Sequence, residues 1–80
     1  MRNTSIVTSL FEQGITIAAG TTVRWTNDEG LQHTVTSTDL SVESPYLSAG
    51  DSWSHTFGAA GRYSFWCRLH QQMTTTVVVQ

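Results

Sequence analysis

Within seven positions, Cys67-Arg68-Leu69-His70-Gln71-Gln72-Met73, the chain carries a thiol, an imidazole and a thioether. Cys67 is its only cysteine, and a second imidazole, His33, lies well upstream in a stretch that alternates like a strand. Soft sulfur donors beside imidazole select copper. Two His, one Cys and a weak axial Met are the donor set of blue-copper electron-transfer sites. Such a set lies between the preferences of Cu(I) and Cu(II), so little has to move when an electron arrives.

Each residue alone has an ordinary role: Cys67 as a buried thiol, His70 as a loop side chain, Met73 as core filler. Together, Cys-x2-His-x2-Met between two predicted strands, with a histidine on an earlier strand, read as ligands. Structural zinc usually combines several Cys and His without Met, so it fits less well. A Cys67–His70 nucleophile is implausible in 80 residues with no helix to activate the thiolate. No carboxylate pair suggests acid–base chemistry, and Asp28-Glu29 reads as a solvated turn. We therefore expect no enzyme.

Such ligands need a rigid frame, and the chain predicts one of strands. β-branched residues and period-2 alternation run throughout, with no sustained helical period. Predicted strands cover 5–11, 15–18, 22–27, 32–37, 52–57, 62–66 and 74–79, punctuated by Gly14, Gly20, Asp28-Glu29-Gly30 and Gly58-Ala59-Ala60-Gly61. The segment 38–50, with the only proline, Pro45, reads as a loop. Seven short strands point to one all-β domain over residues 1–80, an antiparallel Greek-key β-sandwich. Cys67 would end a strand and His70 and Met73 would fill the turn after it. A loop held at both ends by sheet can hold ligands in place. His33 would reach the loop from a neighbouring strand.

Composition narrows the function further. The net charge is −2, and the four basic residues, all arginine, are scattered, which argues against nucleic acid. No apolar stretch approaches the roughly 20 residues of a membrane helix. No signal peptide is visible in this chain. One cysteine excludes an intramolecular disulfide, and a monomer is the default. His55 shares a phase with Trp53 and Phe57 and reads as a half-buried histidine, not a ligand. Trp25, Trp53 and Trp66 read as packing.

The chain resembles the cupredoxins, the small blue copper proteins. Residues 15–27 look like the family's second and third strands, and Gln32-His33-Thr34-Val35-Thr36-Ser37 like its first-ligand strand. Residues 50–57 with 61–67 are similar to its core hairpin, and the short ligand loop is most like that of the amicyanin branch. The resemblance implies one type 1 copper, with His33, Cys67 and His70 in the plane and Met73 axial. It implies redox partner proteins docking near His70, and a periplasmic or otherwise exported location. Two departures stand out. Thr34 replaces an asparagine that helps tie the ligand loop, and Thr75 takes a position where the family usually has glycine. If that position has positive φ, Thr75 would strain the turn and shift Met73. A copper storage or delivery module would use the same ligands. So would an engineered or minimised model site on this fold, which the absence of lysine favours somewhat.

Overall fold

The computed structural model describes residues 1–80. Seven strands form: β1 (Arg2–Ile6), β2 (Ile15–Ile17), β3 (Thr21–Asn27), β4 (Thr36–Ser37), β5 (Ser52–Phe57), β6 (Gly61–Trp66) and β7 (Thr74–Val79). They make two sheets, ordered β1-β3-β5 and β2-β7-β6-β4. The expected β-sandwich is present, with mixed sheets. β1 runs parallel to β3 and β2 parallel to β7, while the other pairings are antiparallel.

The chain passes from one sheet to the other between every consecutive pair of strands except β6 and β7. That exception matters for function. β6 and β7 pair from Gly61↔Val79 down to Trp66↔Thr74, so residues 67–73 close a hairpin at the end of a long ladder.

Alternation builds the core. Val23, Trp25 and Asn27 of β3 are buried, as are Thr75, Val77 and Val79 of β7. Fifteen buried apolar residues form one cluster, which includes Cys67 and Met73, so both sulfur side chains belong to the core. Trp25 lies near its centre, with ring centroids 5.6 Å from Phe65 and 6.3 Å from Phe57. Aromatic rings at these separations add edge-to-face attraction to their burial.

Two predicted strands come out differently. The 5–11 strand is displaced: β1 ends at Ile6, and Val7 bridges back to Leu10 around Thr8 (φ 50°) and Ser9 (φ 56°). Alternation alone could not show that turn, because Thr and Ser are not the residues that normally take positive φ. The 32–37 strand shrinks to Thr36–Ser37, with His33 and Leu47 forming an isolated bridge. Residues 33–37 are all buried, so the expected inside–outside alternation fails there. The 38–50 loop folds over this segment: Ser44 N donates to Val35 O at 2.9 Å and Ser37 N to Val42 O at 2.8 Å.

Candidate metal centre

The ligand loop is a set of nested turns. Met73 N donates to His70 O (2.9 Å), His70 N to Cys67 O (3.2 Å) and Cys67 N to Met73 O (3.1 Å). Each predicted loop residue is thereby held by the backbone of another. Cys67 is fully buried, Met73 is 3 % exposed, and His70 is half-buried.

His33 arrives from the other side. Its amide and carbonyl both pair with Leu47, at 3.1 and 2.8 Å, and its side chain is fully buried. Asn27, also fully buried, sets the approach. Its side-chain amide donates to Leu31 O (2.7 Å) and Leu47 O (2.8 Å), joining the two segments that flank His33.

These elements bring His33, Cys67 and His70 together, with their donor atoms all within 4.8 Å of one another. Both Nδ1 atoms stand 3.7 Å from the Cys67 Sγ, and the two imidazole rings are 4.9 Å apart. This spacing fits a shared ion. Bonds of about 2.0 Å to nitrogen and about 2.3 Å to sulfur, at trigonal or tetrahedral angles, would put N and S roughly 3.5–3.7 Å apart. Two imidazole nitrogens and a sulfur at this spacing, with a thioether in the same loop, are a donor set that would suit copper.

The surroundings fix these groups. Thr34 N donates to Cys67 Sγ at 3.4 Å, and Arg68 N donates to Thr34 Oγ1 at 2.9 Å. Thr34 therefore ties both sides of the thiol and does the work expected of the longer asparagine. Arg68 also pairs with Glu43, anchoring the ligand loop to the 38–50 loop.

Glu29 corrects the reading of Asp28-Glu29 as a solvated turn. Its Oε2 accepts the Ser9 amide at 2.6 Å and stands 3.0 Å from His33 Nε2. Nε2 has no aligned hydrogen bond, so this contact is electrostatic more than directional. It leaves Nδ1 as the atom facing the thiol. The available signal was the four-residue spacing from Glu29 to His33 across a tight turn.

Thr75 does not strain the loop. It sits inside β7 opposite Phe65, is absent from the positive-φ residues, and donates its hydroxyl to Glu12 O at 2.7 Å. The expected displacement of Met73 by backbone strain therefore has no basis. His55 stays outside the cluster, on β5, its ring stacked 5.9 Å from Trp53 and set edge-on to Phe57 at 4.7 Å.

Comparison with known proteins agrees with this geometry. Residues 9–80 match the profile of the copper binding proteins, plastocyanin/azurin family. The chain is similar to amicyanin-alpha of Methylorubrum extorquens, 37% identical over 71 residues, which cover 82% of this chain and 60% of that protein. It is also similar to plastocyanin of Scenedesmus fuscus, 37% identical over 79 residues, covering 82% of this chain and 81% of the relative. The chain thus spans less than two thirds of the amicyanin-alpha sequence. Among solved structures, a Cu(I) form of an amicyanin mutant superposes with a TM-score of 0.91 at 27% identity, covering 99% of this chain and 81% of that one. An oxidised amicyanin mutant gives 0.92 at 27% identity, with the same coverage.

Proposed function

The chain belongs to the plastocyanin/azurin family of copper binding proteins, and from that premise we propose that it is a type 1 copper electron carrier liganded by His33, Cys67, His70 and Met73. The observation that carries this reading is the pair of 3.7 Å separations between Cys67 Sγ and the Nδ1 atoms of His33 and His70. Bound copper supplies a one-electron couple between Cu(II) and Cu(I).

The protein's own residues make that couple usable. Cys67 would hold the ion as a thiolate, the most covalent of the contacts and so the strongest electronic coupling into the chain. His33 is fully buried and held by Leu47 and Glu29, so its ring stays in place. Met73 is buried in the core cluster and would supply its thioether as a weak further ligand that tunes the site. The Thr34 amide stabilises negative charge on the sulfur, a contact that bears on both potential and affinity.

His70 is the half-exposed ligand and serves as the electron port. Exposed Leu69 directly precedes His70, and exposed Val7 and Leu10 flank the turn whose Ser9 amide bonds to Glu29, the neighbour of His33. An apolar surface there suits a short-lived redox partner, with docking near His70. Residues 1–80 make one domain, which carries electrons as a monomer at ordinary concentration without transforming a substrate. No helix is long and apolar enough to cross a membrane. We place the protein in the periplasm or another exported compartment on the strength of its family.

Redox cycling at one equivalent of copper tests the function. A carrier keeps its copper through repeated reduction and reoxidation. Surrender of Cu(I) to a competing chelator in each reduced phase would instead identify a delivery module.

A further inference from the structure

β5 is the longest edge strand left open that carries no charge. It closes the order β1-β3-β5 on one side. Its sequence, Ser52-Trp53-Ser54-His55-Thr56-Phe57, contains no Lys, Arg, Asp, Glu or Pro. Such residues normally protect an edge from pairing with another chain. The other edges are better defended. β1 carries Arg2, β2 has three residues, and β4 has two and is bridged by Glu43.

The register says which backbone groups of β5 are free. Asn27 N donates to Asp51 O on the β5 side, while Asp28 N donates to Ile6 O on the β1 side. Odd-numbered residues of β3 thus face β5, and by the register Trp25↔Trp53 and Val23↔His55 are the hydrogen-bonded pairs. Ser52, Ser54 and Thr56 must then point their amides and carbonyls to the open edge. Outside the ladder to β3, no backbone hydrogen bond involves any of the three. Their side chains lie on the outer face, where Ser52 and Thr56 bond to Thr26 and Thr22 at 2.9 and 2.6 Å.

We propose that β5 is a self-association edge, pairing antiparallel with β5 of a second copy about a two-fold axis through Ser54. Only an even-to-even register uses the free groups, and the one centred on the strand sets Ser54 opposite Ser54 of the second copy and Ser52 opposite Thr56. The same register places Trp53 opposite His55 of the second copy, and the reverse, on the core-side face. Both side chains are half-buried and already stacked within one copy. The two three-stranded sheets become one of six strands. Because the contact is isologous, it closes at a dimer. One strand edge buries much less than the about 800 Å² per partner of a stable complex, so the dimer is weak and forms from the monomer only at high concentration.

Sedimentation velocity on the full chain, with and without copper, tests this across micromolar to millimolar concentration. The expected result is a monomer that shifts towards a dimer as concentration rises, in both metal states. Ser54→Lys sets like charges opposite each other across the axis and should hold the protein monomeric, as should Ser54→Glu. An equimolar mixture of the two variants should associate at least as well as the parent. Because Ser54 is exposed, both changes leave the fold intact, and circular dichroism verifies it. A parent chain that stays monomeric at millimolar concentration overturns the proposal. So does undiminished association of Ser54→Lys.

Discussion

The amide of Thr34 donates to the sulfur of Cys67 across 3.4 Å, and the hydroxyl of the same threonine accepts the amide of Arg68, the residue after that cysteine. One side chain and its backbone thus bracket the thiol. Thr34→Val keeps the shape and removes the acceptor, leaving the partly buried Arg68 amide unpaired. The expected cost is about 1–3 kcal/mol, read as a lower urea midpoint of the apo-protein. An unchanged midpoint would mean the ligand loop is held mainly by its own turns.

Glu29 steadies His33 from behind, and its other contact, to the Ser9 amide, ties in the strained Thr8–Ser9 turn. Partners that orient a metal-binding imidazole are typically worth 10–100-fold in affinity. Glu29→Ala should weaken copper binding, towards the lower end of that range because the contact is not aligned, measured by competition with a chelator of known strength. Equal affinity in the two proteins would reduce Glu29 to a surface tether for the turn.

Thr75 offers a test of local backbone geometry. With its φ unstrained and its hydroxyl bonded to Glu12 O, it stabilises β7. Thr75→Gly should lower stability by about 1–2 kcal/mol, through a lost hydrogen bond and a floppier strand. The copper spectrum should not move. A spectral shift with no loss of stability would revive the idea that this position tunes Met73.

These cases show what was legible in the sequence. The alternation of 52–57 and 74–79 gave β5 and β7 to the residue, because each has one face in the core and one outside. The Cys67–His70–Met73 spacing gave the loop, because a hairpin closing so tight a turn leaves those side chains few places to go. The parallel pairings were not legible, since alternation looks the same in either direction. Nor was the burial of 33–37 on both phases, which depends on the distant 38–50 loop folding across it. Glu29 looked like a solvated turn residue and Asn27 like the polar end of a strand. Their inward orientation comes from partners at Ser9, His33 and Leu47, distant in the chain or across a loop.

His55 gives the fold a pH dependence separate from the metal. Burial against Trp53 and Phe57 holds its pKa below the usual 6.5. The unfolded chain therefore binds that proton more readily than the folded one. The contribution to stability is complete above the unfolded value and is lost as pH falls from there through the lowered folded value. Urea midpoints of the parent should drop more steeply below pH 6.5 than those of His55→Gln. Parallel curves would contradict this assignment.

Cys67 Sγ and the Nδ1 atoms of His33 and His70 are placed to share one copper ion. This sharing is tested most directly by titrating the apo-protein with Cu(II), read by visible absorption and electron paramagnetic resonance. The expected result is an intense thiolate-to-copper band that saturates at one equivalent with narrow hyperfine splitting, and that disappears in Cys67→Ser. A pale spectrum with wide splitting, unchanged by Cys67→Ser, would put copper on the histidines alone and rule out a shared thiolate site.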